Sequence, residues 1–417
     1  MADPVPQRYQ SAIHDWGREP TGSRQPSAPH LFDDTLRDGL QNPSVVDPGL
    51  QAKCALMEHM ARVGVTSVGI GMPSASSRQF GECLELCRFA EGRDLGVTPV
   101  CAARTLPGDV EVALRLCSEA PGAIELHVFL GTSPIRGIVE GWSRQLLTER
   151  TAAAVRQAAR VGVSVAFVAE DATRSDPDTL SEVFRAAIGE GAKRLCLCDT
   201  VGAATPRGTR RIVEHTQRVI ESTGARLGID WHGHNDRGLA LANSLAAWEA
   251  GADRLHGTVL GIGERVGNTA IELLVLNLYL AGCVGHRAAR ELIPYTEQAA
   301  ALLDWPIPPN YPLVGADAFR TAAGVHAAAI RKAEERQEPW LAERVYSAVS
   351  AAEFGRAQEV CIGHGSGTSN VLWWLKRHGY PSDPRTVARI LTEAKAARRL
   401  LDDATLHRLA QPTDGTA

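Results

Sequence analysis

The hydrophobic positions of the chain follow two spacings in turn between about residue 30 and residue 285. Short apolar runs are each followed by a longer stretch in which apolar residues recur every three or four positions. The first pattern is typical of a buried strand and the second of an amphipathic helix. Eight strands are predicted in this way: His30–Asp34, Ser67–Gly71, Thr98–Ala102, Ile124–Phe129, Ser164–Ala169, Arg194–Asp199, Leu227–His232 and Arg254–Thr258.

Glycine pairs indicate where the predicted helices end. Gly64-Val65, Gly162-Val163, Gly191-Ala192 and Gly251-Ala252 each stand between a helical stretch and a strand, as expected of a helix that ends in a glycine cap. Eight strands alternating with helices predict parallel pairing and a closed TIM (β/α)8 barrel of the α/β class. A doubly wound open sheet is the alternative, but no G-x-G-x-x-G follows the first strand.

The pattern changes beyond the barrel, and four parts are predicted along the chain. They are a flexible tail over 1–29, a barrel catalytic domain over 30–290, a linker and smaller, mainly helical region over 291–379, and a C-terminal helix over 380–417 centred on Asp383–Leu409. The Pro-rich break at Trp305–Pro312 is expected to form a linker or corner. The smaller region carries His, Tyr and Gly signals of its own.

Composition excludes several classes of function. The net charge is −4, from 44 basic and 48 acidic residues. The sequence contains no basic stripe with interleaved aromatic residues, which is the pattern that predicts nucleic-acid binding. The N-terminus lacks the basic start and apolar run of a secretory signal, and no apolar run reaches membrane-spanning length. Most of the nine cysteines lie in apolar segments, which favours reduced, buried thiols in a cytoplasmic protein. Cys83 and Cys87, four apart on a predicted helix, could form a metal pair, but without two further ligands packing is favoured.

The strongest local signal for chemistry is His232-Gly233-His234 at the end of a predicted strand. Residues two apart on a strand share a face, so both imidazoles are expected to point into the barrel mouth. One carboxylate would complete a site for a divalent metal with open positions, and Asp38 after the first strand can supply it. Arg37 beside it could stabilise an oxyanion forming on a metal-bound carbonyl. The alternatives are a surface histidine pair and a turn with a surface salt bridge.

Several further motifs occur in one order along the chain. They are Asp34–Gln41, Gly71–Ser76, His127–Ser133, Glu170–Arg174, Cys198–Gly202, His232–Asp236, Gly261–Asn268, Gly324–His326 and Gly363–Gly367. Together they resemble the metal-dependent Claisen-condensing enzymes and related lyases, the DRE-TIM metallolyases. This family includes 2-isopropylmalate synthase, homocitrate synthase, citramalate synthase and hydroxymethylglutaryl-CoA lyase. The resemblance runs from about residue 30 to residue 380.

The resemblance implies an acyltransferase that condenses acetyl-CoA with a 2-oxo acid on a divalent ion (Zn, Mg or Mn). It implies a homodimer with exchanged C-terminal regions. Carried over residue by residue, the resemblance makes Asp38, His232 and His234 metal ligands, with Asn268 a nearby or weak fourth ligand. It makes Arg37 the group that polarises the oxo acid, and Gln41, His127 and Thr200 substrate-binding residues. Glu170 and His326 would form the proton relay, assisted by Tyr346 from the smaller region.

The branch of the family is less sharply defined. The glycine-rich loop reads Gly263-Glu264-Arg265 and lacks the cysteine typical of the lyases, which favours a synthase, whereas Leu40 is closer to the lyase pattern. Among the synthases, the protein is expected to be most like a 2-isopropylmalate synthase without the leucine-regulatory domain. Arg136 is either a ligand for the second carboxylate of a dianionic oxo acid, as in homocitrate synthases, or a solvated loop residue. A carbon–carbon lyase is the second alternative.

Overall fold

The computed structural model describes residues 6–9, 12–14 and 27–411. Eight parallel strands close into a barrel in the order β1 to β8, each pairing with its neighbours in the sequence and β1 with β8. The strands are β1 (His30–Asp33), β2 (Ser67–Gly71), β3 (Thr98–Arg104), β4 (Glu125–Gly131), β5 (Ser164–Glu170), β6 (Arg194–Asp199), β7 (Gly228–Gly233) and β8 (Arg254–Gly257). The predicted TIM barrel is confirmed, with half of the strand ends shifted by one or two residues.

Helices follow the strands and cover the barrel. They are α1 (Leu50–Val63), α2 (Ser77–Gly92), α3 (Pro107–Glu119), α4 (Pro134–Glu140), α5 (Arg144–Ala159), α6 (Pro177–Gly189), α7 (Pro206–Thr223), α8 (Ala240–Glu249), α9 (Ile271–Leu280), α10 (His286–Arg290) and α11 (Leu292–Leu302). The longer helices each bury one apolar stripe, as α7 does with Val213, Val219 and Ile220. Gly64, Gly162, Gly191 and Gly251 all have positive φ where a helix ends.

The chain divides into two compact units, Met1–Pro306 and Ile307–Ala417. The break falls inside the Pro-rich segment, later than the predicted barrel end at residue 290, because α11 packs against α1 and belongs with the barrel. The predicted tail over 1–29 lies for the most part outside the described residues.

The second unit has its own small core. Its elements are β9 (Arg320–Thr321), α12 (Gly324–Glu335), α13 (Pro339–Arg344), β10 (Glu359–Val360), α14 (Thr368–Arg377), α15 (Pro384–Ala396) and α16 (Asp403–Ala410). Ile330, Ile362, Val371 and Trp374 are buried at its centre. The single final helix predicted over Asp383–Leu409 is wrong. Leu401 donates its backbone N–H to Ile362, and Asp402 then caps a new helix through Thr405.

One buried carboxyl gives the first unit a pH-dependent stability. Asp33 is fully buried and accepts hydrogen bonds from the Tyr295 hydroxyl (2.6 Å) and the Thr35 amide (2.9 Å). Burial outweighs these bonds and raises the pKa of Asp33 to about 6. Because this folded-state pKa lies above that of the unfolded chain, the protonated form of Asp33 stabilises the fold. Its contribution to the free energy of unfolding is complete below the unfolded-state pKa and is lost as the pH rises through about 6.

We therefore expect Asp33→Asn, which mimics the neutral carboxyl, to remove this loss. The difference in unfolding free energy between variant and wild type should move in the variant's favour by roughly 1–3 kcal/mol between pH 4 and pH 8. Urea unfolding at several pH values measures it. A difference that stays constant with pH would contradict the assignment.

Candidate active site

The first strand delivers a carboxylate and a guanidinium to the C-terminal end of the barrel. Asp34 to Asp38 form a turn after β1, and Asp38 is only 3% exposed. Arg37 Nε donates to both Asp34 carboxylate oxygens, at 2.9 and 3.0 Å, which fixes the guanidinium. Its Nη2 then lies 3.4 Å from Asp38 Oδ2. A permanent cation is thereby held beside a buried carboxylate.

Two histidines from β7 meet this carboxylate. His232 lies within β7 and His234 immediately follows it, and their Nε2 atoms are 3.4 Å apart. Asp38 Oδ2 is 3.2 Å from His232 Nε2 and 3.5 Å from His234 Nε2. Three buried donor atoms from two strands therefore converge, which makes this a group that could hold a metal ion. Two histidines and one carboxylate suit a divalent ion that keeps open positions.

The protonation states of Asp38 and His234 suit metal ligands. At His232 burial opposes protonation, but the hydrogen bond with Asp38 outweighs it and raises the pKa of this imidazole. Burial opposes ionisation of Asp38, but the His232 hydrogen bond and the Arg37 charge outweigh it and hold the pKa of this carboxyl well below its usual range. Burial, with the charge of His232, lowers the pKa of His234 to about 4. Asp38 is thus anionic and His234 neutral at neutral pH, the forms in which these side chains bind metals.

Asn268 borders the same spot from the loop after β8. Its Nδ2 donates to the Ile262 carbonyl at 3.3 Å, while its buried Oδ1 has no hydrogen-bond partner among the described residues. A side chain at Gly263 would place Cβ 2.2 Å from Asn268 Nδ2 and 3.1 Å from Asp38 Oδ1. Glycine at 263 therefore lets the amide and the carboxylate approach each other, and the unpaired Oδ1 fits a nearby or weak ligand.

A cavity of about 240 Å³ opens at this end of the barrel. The residues around it come from every strand or the loop that follows it: Asp34, Arg37, Asp38, Gln41, Met72, Ala102, His127, Phe129, Val168, Glu170, Cys196, Cys198, Thr200, His232, His234, His256, Glu264 and Arg265. Active sites of TIM barrels occupy this face.

Three of the four predicted substrate-binding residues, Gln41, His127 and Thr200, line this cavity. His127 Nε2 is 2.7 Å from Glu125 Oε1, which fixes the ring from below. The Thr200 hydroxyl accepts a hydrogen bond from the Asp171 amide at 2.8 Å. Both side chains are therefore held in place before any substrate enters.

Glu170, at the end of β5, also lines the cavity, but Arg136 does not. Arg136 Nη1 lies 3.2 Å from Glu140, and Arg136 Nε lies 3.8 Å from Glu170. The Arg136 side chain passes over Gly131, where an added Cβ would come within 2.6 Å of Arg136 Cγ. Burial raises the pKa of Glu170, although the Arg136 charge opposes the shift. A carboxylate with a raised pKa is a suitable proton acceptor.

His326 and Tyr346 lie together in the second unit. Their rings stack with centroids 3.9 Å apart and border a separate cavity of about 100 Å³. His326 Nδ1 is 3.3 Å from the Thr321 hydroxyl, and Tyr346 is 46% exposed. Their predicted part in the reaction stays a prediction.

The cavity contains residues for which the sequence predicts no individual role. Asp34 anchors Arg37, and Arg265 lines the cavity while pairing with Asp236 at 2.9 Å. Cys196 and Cys198 line its floor with His256. The two-residue spacing of Cys196-x-Cys198 on a strand was a usable signal, because such residues share a face.

A family model described as HMGL-like matches residues 28–298, the whole barrel and its flanks. The chain belongs to the HMGL-like family. The matched range contains all eight barrel strands and the residues that line the cavity, whereas two of the sequence motifs, Gly324–His326 and Gly363–Gly367, lie beyond it.

Curated relatives match nearly the whole chain. A probable 2-isopropylmalate synthase of Ignicoccus hospitalis is 34% identical over 89% of this chain and 88% of its own length. A homocitrate synthase of Methanopyrus kandleri is 34% identical over 88% of this chain and 87% of its own. A putative (R)-citramalate synthase of Methanoculleus marisnigri is 35% identical over 88% and 68%. These relatives are named as synthases, so this HMGL-like chain is a condensing enzyme of the acyltransferase type.

Solved structures of the family share the barrel. The HMG-CoA lyase of Pseudomonas aeruginosa superposes with a TM-score of 0.56 at 23% identity, covering 67% of this chain and 94% of its own. That of Bacillus subtilis gives 0.55 at 21% identity, covering 69% and 97%. At these identities the likeness concerns the fold alone. Within the described residues, no helix combines the length and apolarity required to cross a bilayer.

Proposed function

We propose that the protein condenses acetyl-CoA with a 2-oxo acid, giving a 2-alkylmalate-type acid and free CoA. The observation that carries the proposal is the convergence of Asp38, His232 and His234, with Arg37 Nη2 3.4 Å from Asp38, in one cavity. The names of the relatives support the same chemistry, because a 2-isopropylmalate or homocitrate synthase forms its product in this way.

Asp38, His232 and His234 would hold the divalent ion, with Asn268 beside them. When bound, such an ion supplies Lewis-acid polarisation of the oxo acid's carbonyl. The residues themselves fit it, since the donor set is buried, mixed in N and O, and includes an unpaired amide oxygen. Such a set accepts Zn, Mg or Mn.

Arg37 would bind the oxo acid and stabilise the negative charge that develops on its carbonyl oxygen. Its position is fixed in advance by Asp34, so no reorganisation is needed when charge develops. Glu170, which lines the cavity and whose pKa is raised by burial, would remove a proton from the acetyl methyl group. The resulting enolate attacks C2 of the oxo acid, and hydrolysis of the thioester then releases CoA. The pair His326 and Tyr346 would complete the relay from the second unit.

Arg37→Lys is expected to lower kcat/KM by about 10²-fold, because a lysine keeps the charge but loses the planar contact with Asp34 that aims it. Steady-state kinetics at saturating metal measure the change. Arg104→Lys is a matched control, since Arg104 pairs with Asp109 outside the cavity. An equal effect of both substitutions would contradict the role of Arg37.

The oxo acid is proposed to carry an uncharged side chain. Met72, Ala102, Phe129 and Val168 form an apolar side of the cavity. Arg136, for which binding of a second carboxylate is one of the two predicted alternatives, pairs with Glu140 and Glu170. This favours a 2-isopropylmalate-like reaction over a homocitrate-like one.

CoA release with a panel of 2-oxo acids tests both levels of the proposal. We expect branched or straight apolar monocarboxylates to be used and 2-oxoglutarate to be used poorly. A preference for the dicarboxylate would overturn the side-chain assignment alone. No CoA release with any 2-oxo acid, together with cleavage of a 3-hydroxyacyl-CoA, would identify a lyase instead.

A homodimer that brings His326 and Tyr346 of one copy to the barrel of another is also proposed, from the family resemblance. Sedimentation of the full chain would show a dimer, and mixing inactive His326→Ala and Asp38→Asn chains should restore part of the activity. No restoration would contradict the exchange.

A further inference from the structure

Arg265 is one of two guanidinium groups that line the barrel cavity. Arg37 is the other, and the described lining contains no lysine. Arg265 lies in the glycine-rich loop after β8, where its φ of 57° places it in the left-handed region that few residues with a side chain adopt. Because such backbone strain concentrates at functional sites, this conformation points to a role for the side chain in the chemistry of the cavity.

Contacts on two sides hold the Arg265 guanidinium in place. Its Nε and Nη2 atoms donate to the two carboxylate oxygens of Asp236, at 2.9 and 3.0 Å, and Nη2 also donates to the Thr200 carbonyl at 2.6 Å. These three bonds use every N–H of Nε and Nη2. Nη1 keeps both of its N–H groups, since none of the described residues accepts a hydrogen bond from it. A molecule bound in the cavity can therefore accept one from Nη1.

The same loop brings Arg265 next to the proposed metal ligands. The backbone N–H of Glu264, the preceding residue, lies 3.3 Å from Asp38 Oδ1. Asp236, which holds the guanidinium, follows His234 by two residues after the end of β7. An oxo acid bound at the proposed metal site would therefore lie beside Arg265.

The proposed condensation places negative charge on two oxygen atoms in turn. Loss of a proton from the acetyl methyl group puts charge on the thioester oxygen, and attack on C2 then puts charge on the carbonyl oxygen of the oxo acid. Arg37 and the metal ion would stabilise the second oxygen, which leaves the thioester oxygen to another donor. A charged donor that is fixed in advance stabilises such an oxyanion better than a neutral one.

We propose that Arg265 is a catalytic residue whose Nη1 donates a hydrogen bond to the thioester oxygen of acetyl-CoA as the enolate forms. The methyl C–H bond breaks and its proton goes to Glu170, while the electron pair forms the C=C bond and the carbonyl pair moves to the oxygen. When the enolate attacks C2 of the oxo acid, the thioester carbonyl forms again. Asp236 is a positioning residue that aims the guanidinium. This inference rests on the proposed function.

The test compares two CoA thioethers that cannot react. S-carboxymethyl-CoA ends in a carboxylate whose charged oxygen stands in for the enolate oxygen, whereas S-ethyl-CoA lacks the charge. Isothermal titration of the full-length protein with each compound gives the dissociation constants. Mg²⁺ and 3-methyl-2-oxobutanoate are present throughout, so that the oxo acid occupies the proposed metal site and the carboxylate of the thioether does not.

Arg265→Gln is expected to weaken the binding of S-carboxymethyl-CoA by about 10- to 100-fold, as for the loss of a hydrogen bond to a charged group, and to leave the binding of S-ethyl-CoA unchanged. Arg265→Lys should recover part of the loss. Arg237→Gln is the matched control, because Arg237 is an exposed arginine in the loop after β7 that donates to the Ala203 carbonyl and does not line the cavity. It should bind both thioethers as the wild type does.

An equal loss of affinity for both thioethers in Arg265→Gln would show that Arg265 only holds the loop, and no loss for either would exclude the contact. Each result overturns this inference alone. Wild-type protein that binds neither thioether overturns the proposed function and this inference with it. Should Arg265→Gln not fold, phenylglyoxal modification and peptide mapping of the wild type decide the matter. Protection of Arg265 by S-carboxymethyl-CoA but not by S-ethyl-CoA supports the contact, and equal modification with either compound overturns it.

Discussion

Replacing Asp38 by asparagine is expected to reduce CoA release to the background of the assay. The substitution removes the only negative charge among the three proposed ligands, whose donor atoms lie 3.2–3.5 Å from one another. It also leaves Arg37 without one of its two carboxylate neighbours. Metal content by atomic absorption, measured beside activity, should fall in parallel because both losses have one cause.

Asp178→Asn is the matched control, since this carboxylate is exposed in the first turn of α6 and does not line the cavity. It should retain full activity and metal. The circular dichroism of Asp38→Asn should equal that of the wild type. If Asp38→Asn kept wild-type activity at low metal concentration, the metal assignment would be wrong.

Asp230→Asn is expected to lower the free energy of unfolding by about 3–5 kcal/mol. Asp230 is fully buried on β7 and pairs with Arg194 at 2.6 Å and Arg254 at 2.5 Å. Without its charge, Arg254 keeps Glu125 as its only carboxylate partner among the described residues. An under-compensated charge in the barrel interior is costly because little water reaches it.

Urea unfolding at pH 7 measures this loss. Asp109→Asn is the control, because Asp109 pairs with the largely exposed Arg104 and such surface pairs contribute about 0–1 kcal/mol. A loss of less than about 1 kcal/mol for Asp230→Asn would show that the network around Arg254 is not needed for stability.

The barrel could be predicted from the sequence because each strand is a short, nearly fully buried run. Ser67–Gly71 has no exposed residue, for example, and the helices around it bury one stripe. The final helix was wrongly predicted because its interruption depends on a bond between Leu401 and Ile362, which are distant in sequence. Local propensity does not contain such a contact.

Part of the candidate site could likewise be predicted from the sequence, and part of it could not. The convergence of His232, His234 and Asp38 follows from strand periodicity and from the family resemblance, and the structure brings all three together. The position of Arg136 could not be predicted, because it depends on the absence of a side chain at Gly131 and on the charge of Glu170. Such placements are properties of neighbouring loops rather than of any one segment.

The order of strands around the cavity divides its lining between two arcs. The charged groups of the proposed metal site come from β7 and β1, which flank β8, whereas Met72, Ala102, Val168 and Cys196 come from the opposite arc, β2 to β6. Mutations that recruit a new substrate can therefore accumulate on one side of the barrel without disturbing the other. A library confined to Met72, Ala102 and Val168 would be a compact starting point for directed evolution of the side-chain preference.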